Sequence, residues 1–214
     1  MNCMGVSVES DAKERELLSG ASRGDSACLA SLFTRYRERL KRMVGLRLDA
    51  RVQGRIDASD IVQEAYMEVA RKLEDYLQSP SLPFFLWVRL LTAQKLALAH
   101  RQHLGVKARD AGREVALYRG YPAASSAALA ARLMGKLTTP SQAAVKAELK
   151  IRIQQALNTM EAIDREILTL RHFEQLSNSE TALVLGIKEP AACNRYFRAL
   201  ERLRSILGGM SEEW

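Results

Sequence analysis

The sequence predicts an all-α protein built as two small helical domains joined by a linker, and three observations carry that expectation. Apolar residues recur with helical spacing in almost every segment. No alternating strand pattern and no Asn-Gly hairpin signal interrupts them. The periodicity lapses from Gly105 to Pro140, where Gly112, Gly120, Pro122 and Gly135 punctuate a stretch of small residues, AASSAALAARL. Helices are expected over roughly 10–19, 25–48, 57–77, 83–104, 141–157, 161–173, 177–185 and 189–207. The organisation is then a four-helix domain over 1–104, a linker over 105–140 with room for one helix, and a second four-helix domain over 141–214.

Composition narrows the class of function. An apolar content of 47% in 214 residues can fill two cores, and a net charge of +7 favours a polyanionic partner. Cys3, Cys28 and Cys193 are too few and too dispersed for a disulfide framework or a cysteine-rich zinc site, which suits a reducing cytoplasm. The N-terminus lacks a basic start followed by an apolar run, and no stretch approaches the ~20 apolar residues of a membrane span, so neither export nor insertion in a membrane is expected. Paired carboxylates in a pocket-forming pattern, a Gly-rich phosphate loop and a nucleophile beside a base are all missing, so no catalytic residue and no cofactor is expected.

In the helix over 57–77, Ile61, Val62, Ala65, Tyr66, Val69, Leu73 and Tyr76 or Leu77 recur with helical spacing and form one buried stripe. The other side carries Asp60, Gln63, Glu64, Met67, Glu68, Arg71 and Asp75. An acidic strip on a basic protein is unsuited to nucleic acid. A flexible Met among carboxylates suits a protein partner, although a solvated face with one stray Met has the same composition. The loop Gln78-Ser79-Pro80-Ser81 follows, stiffened by Pro80 and Pro83. After it, Phe84, Phe85 and Trp87 lead into Arg89, Lys95, Arg101, Lys107, Arg109 and Arg113. Aromatic plus basic chemistry suits a surface that takes unpaired bases and phosphate, and FFLWV equally suits a core. The pair His100 and His103 has no cysteine near it, and no metal is expected there.

The C-terminal stretch is the most explicit. Ser177-Asn178-Ser179-Glu180 has the form of a capping box, Ala182, Leu183 and Leu185 give the helix an apolar side, and Gly186 supplies the positive φ that ends it. Ile187 anchors the corner. Pro190 is harmless only in a first turn, so a second helix should start near Lys188 or Glu189. Tyr196, Ala199, Leu200, Leu203 and Leu207 should face a core, leaving Lys188, Glu189, Ala192, Asn194, Arg195, Arg198, Arg202 and Arg204 outward. A short helix, a glycine turn and a long basic helix form the layout of a helix-turn-helix whose second helix enters a major groove.

Taken in order, the D-I-V-Q-E helix, the F-x-x-W segment running into a basic helix, the linker, and D-R-E-I-L-x-L-R-H-F-E-Q-L-S-N-x-E-x-A-x-x-L-G-I resemble the extracytoplasmic-function (ECF) sigma factors of bacterial RNA polymerase. The likeness spans sigma region 2 (about 20–104) and region 4 (about 141–207). It implies core RNA polymerase and promoter DNA as partners, and allows an anti-sigma factor as another. By resemblance, Asp60, Gln63 and Glu64 match the motif that binds the polymerase clamp, with Met67 on the same face. The loop Tyr76 to Ser81, including Gln78 and Ser79, and the basic helix with Arg89, Lys95 and Arg101 match the parts that read and open the minus-10 element. Lys188, Glu189, Asn194, Arg195, Arg198 and Arg202 lie on the helix that reads the minus-35 element. QKLALAHRQHL replaces the family's usual Asn and Asp-Arg-Leu-Arg, so no minus-10 sequence preference carries over. The alternative from the residues alone is a helix-turn-helix regulator binding DNA as a dimer, which leaves the acidic face unexplained.

Overall fold

The computed structural model describes residues 4–104, 122–134 and 143–209, and among these every regular element is a helix. Helices α1 (Met4–Ser22), α2 (Ser26–Arg47), α3 (Ala58–Gln78) and α4 (Phe84–Leu104) pack into a first bundle. Helices α6 (Ala143–Thr159), α7 (Ala162–Leu168), α8 (Asn178–Leu185) and α9 (Glu189–Gly209) form a second, and α5 (Ser126–Met134) lies between them. The expected helices are all present, with the first starting earlier, at Met4. The linker residues 105–121 and 135–140, with Lys107, Arg109 and Arg113, lie outside the described residues. What is described of the linker includes α5, which buries Leu129, Ala130 and Met134 and packs on α6 and α2. The backbone N–H of Ser125 donates to the Leu46 carbonyl at 2.8 Å, fixing the start of that helix to the end of α2.

Local chemistry sets the helix ends. Asp25 caps α2, its carboxylate accepting from the N–H groups of Ala27 and Cys28. Asp57 and Asp60 form a reciprocal capping box on α3. The expected box on α8 is made by Ser177 and Glu180, and Gly186 ends the helix at φ 63°. The helix expected over 161–173 is α7 followed by a π-helical turn, Thr169–Phe173. The wider i→i+5 turn accommodates one extra residue there. Glu174 N–H then donates to the Thr169 carbonyl, and Gln175 takes the left-handed conformation at φ 58°.

This local distortion has a long-range result, since it delivers Glu174 to the first bundle. Arg89 on α4 donates to Glu174 from Nε at 2.7 Å and from Nη2 at 3.3 Å. Arg47 on α2 bridges Glu174 and Glu166. All four side chains are buried, and the two positive and two negative charges cancel. Burial alone would raise the Glu174 carboxyl, but Arg47 and Arg89 outweigh it and hold it below the ordinary carboxylate range. Beside this clasp, Arg39 stacks over Phe85 at 3.8 Å and donates to the Gln175 carbonyl at 3.2 Å.

Candidate polymerase and promoter surfaces

On α3, the stripe Ile61, Val62, Ala65, Val69, Leu73 and Tyr76 is buried, as its spacing requires. Asp60, Gln63, Glu64 and Met67 are all exposed on the opposite side, and Met67 is 62% exposed. They form a face about two turns long with carboxylates around one apolar side chain. Asp60 is also part of the α3 capping box, so it holds the helix start as well as belonging to the face. Glu68 is turned away from the free face. Lys72 and Arg71, with Lys95 from α4, gather on its carboxylate and hold its pKa at about 2.

The residues expected at the minus-10 element divide into two groups. Gln78, Ser79, Ser81 and Arg101 are exposed. Tyr76 is not: its ring stacks on Trp87 at 4.4 Å and its hydroxyl donates to the Leu82 carbonyl at 2.9 Å, so it braces the loop from beneath. Arg89 is a second correction. As the first of a run of cations it reads as part of a DNA surface, but it is buried against Glu174. Lys95 is half-buried and pairs with Glu68 at 3.2 Å. Phe84, Phe85 and Trp87 are core, packed on one another, Tyr36 and Tyr76. The aromatic-basic segment is thus an aromatic core from which cations emerge, and not a stacking platform. His100 of the H-x-x-H pair is half-buried, with its Nε2 accepting from the Asp49 N–H at 3.2 Å.

In the second bundle, α8 and α9 meet across Gly186 with Thr181, Ala182, Leu185, Ala192 and Ala199 buried. Ala192 was expected outward and is fully buried, because its small side chain is the close-contact point of α9; Leu183, expected inward, is exposed. Lys188, Glu189, Asn194, Arg198, Arg202 and Arg204 are exposed, and Arg195 is half-buried. Arg195 and Arg202, two turns apart, both reach the nearly buried carboxylate of Asp164 on α7, at 3.4 and 3.6 Å. Their guanidinium groups are therefore held at one flank of α9, beside Glu161. Sequence reasoning missed Asp164, and only its place in the first turn of α7 could have singled it out.

Comparison with known proteins adds to this geometry. Residues 150–203 match the family model for sigma-70, region 4. The ECF RNA polymerase sigma factor SigD of Mycobacterium tuberculosis is 29% identical over 188 residues, covering 88% of this chain and 81% of that protein. The RNA polymerase sigma-H factor of Pseudomonas aeruginosa is 21% identical, covering 94% of this chain and 97% of that protein. The fold is similar to that of CnrH, solved in complex with the cytosolic domain of CnrY, with a TM-score of 0.54, 23% identity, and coverage of 92% of this chain and 98% of that one.

Proposed function

Because the chain belongs to the ECF group of the sigma-70 family of bacterial RNA polymerase sigma factors, we propose that its α3 face docks on core polymerase while two other surfaces hold the promoter. The protein directs polymerase to promoters and starts transcription there. The observation that carries the division of surfaces is the separation of charge: an exposed acidic face around Met67 on α3, and exposed cations on α9 of a basic chain. Asp60, Gln63, Glu64 and Met67 form the docking face. Gln78, Ser79, Ser81 and Arg101 address the minus-10 element, with Lys95 released from Glu68 to a phosphate when DNA arrives. Lys188, Glu189, Asn194, Arg195, Arg198 and Arg202 address the minus-35 element through α9 in the major groove.

The domain reading follows the surfaces: region 2 over 1–104, region 4 over 141–214, and a linker whose α5 packs against both bundles. The work is binding, with no covalent step by this chain. Opening the duplex costs a few kcal/mol per extruded base, on the order of the capture energy that polar loop groups and cations return. The site of action is the cytoplasm, where polymerase and promoter meet, and no helix among the described residues is long and apolar enough to cross a membrane. An anti-sigma factor is the third partner in this reading, as an occupant of the same exposed surfaces. A dimeric helix-turn-helix regulator is not favoured, since it gives the α3 face nothing to bind. Co-purification with core polymerase, followed by run-off transcription from the DNA upstream of the protein's own coding sequence, separates the two. Polymerase-dependent transcripts are expected, and DNA binding that needs no polymerase and yields none would refute the reading.

A further inference from the structure

Phe197 is a large aromatic side chain that the fold leaves 59% exposed. At about 100° per residue, the buried stripe of α9 centres on Ala192 and Ala199, and Phe197 lies roughly 140° away on the outer face. Its ring neighbour is Tyr196, tilted at 6.1 Å between centroids. Asn194 precedes it by three residues and Glu201 follows it by four, so the three share one row, flanked by Arg198 and Arg204. We propose that Phe197 reads the C5-methyl group of a thymine in the upstream promoter element, an assignment that rests on the placement of α9 in the major groove.

The chemistry of the row favours a DNA occupant. Thymine is the base that presents a methyl group in the major groove, and an exposed phenyl ring is an apolar match for it. An amide pairs with an adenine edge and a carboxylate accepts from cytosine N4, so Asn194 and Glu201 are suited to neighbouring bases. From the helical rise, they sit about 4.5 and 6 Å along the axis from Phe197, which is one to two base steps. Arg198 and Arg204 on either side supply the cations that flanking phosphates require. An apolar protein pocket would have to tolerate those two arginines, whereas a groove walled by phosphates attracts them.

The test uses the full chain with core polymerase. A pool of duplexes randomised over the upstream segment is selected for binding, and each thymine of the recovered element is then replaced singly by deoxyuridine, which lacks only the methyl. Wild type should lose about fourfold in affinity at one position, the fold-change that one buried methyl is worth. Phe197→Ala should bind the thymine and deoxyuridine duplexes equally, and Phe197→Leu should keep part of the difference. If wild type shows no deoxyuridine effect at any position, or Phe197→Ala keeps the whole effect, the assignment is overturned while α9 remains a major-groove helix. If the selection enriches no element at all, the assignment falls together with the reading beneath it.

Discussion

Replacing Glu174 by Gln removes one charge from a site that four buried side chains neutralise among themselves. Arg47 would keep Glu166 but Arg89 would lose its carboxylate, leaving one uncompensated positive charge where no side chain is more than 6% exposed. Breaking a buried ion pair in this way costs about 3 to 5 kcal/mol. Both acids lie on the second bundle and both arginines on the first. The charges can therefore be rehydrated by separating the bundles, with no need to unfold either. The cost should appear as undocking, shifting the closed-to-open ratio by roughly a hundredfold or more. X-ray scattering should show a larger radius of gyration, and thermal unfolding should split into two transitions. Joint replacement by Arg89→Met and Glu174→Leu leaves the Arg47–Glu166 pair balanced and should restore docking, since an apolar pair of similar volume commonly replaces a buried ion pair without loss. Acid should act like the Gln variant. The Glu174 carboxyl is held below its ordinary value, so its contribution is complete above about pH 4.5 and disappears as pH falls through the lower docked value. A Glu174→Gln protein as compact and as cooperative as wild type would refute the clasp as the tie between the bundles.

Three other expectations follow from named side chains. Glu64→Lys with Met67→Lys should weaken core polymerase binding by about 2 to 5 kcal/mol while circular dichroism and melting temperature stay unchanged, because neither residue serves the α3 cap as Asp60 does; undiminished binding by the folded variant would discard the α3 assignment. Alanine at Gln78, Ser79 and Ser81 together should spare polymerase binding and reduce open complex, read as permanganate reactivity of unpaired thymines, and a template with a pre-melted bubble should rescue it; a defect that the bubble leaves in place would make the loop a connector only. Burial holds the His100 imidazole below its ordinary 6.5, with Asp49 offsetting this only in part, so its contribution to stability is complete above pH 6.5 and falls away as pH drops through the folded value; the melting temperature should decline over that window in wild type and less in His100→Gln, and equal slopes would sink the attribution.

What the sequence made legible and what it hid differ by the range of the interactions involved. The α8 cap and the left-handed Gly186 depend on residues within four positions of one another, so the stretch from Ser177 to Pro190 spells out its own geometry. Buried stripes on α3 likewise follow from spacing alone. The α3 cap is just as local but carries a weaker signal, because Asp57 and Asp60 stand where a Ser or Thr and a Glu mark a capping box. Arg89 and Glu174 are 85 residues apart, and Arg47 and Glu166 119 apart, so no window of sequence contains either pair. Arg89 reads as the first of a run of surface cations until its partner is seen. The π-helical turn was equally silent, since one inserted residue leaves the apolar spacing of 161–173 nearly intact.

That distribution bears on function. The surfaces proposed for partners are made of locally specified residues that stay exposed whether or not the bundles touch: Gln63, Glu64 and Met67 on α3, Gln78, Ser79 and Ser81 in the loop, and Asn194, Phe197 and Arg198 on α9. The arrangement of those surfaces relative to one another depends instead on four buried charges, a distorted turn and α5, which packs on both α2 and α6. An ionic clasp is well suited to that role, because its charges are stable in either of two environments, paired when docked and hydrated when apart, whereas an apolar interface has only one. A Glu174→Gln protein should accordingly retain each partner contact taken singly, with the same affinity of its α3 face for core polymerase. Only the closed-to-open ratio should change, and with it any step that needs both bundles on one promoter at once.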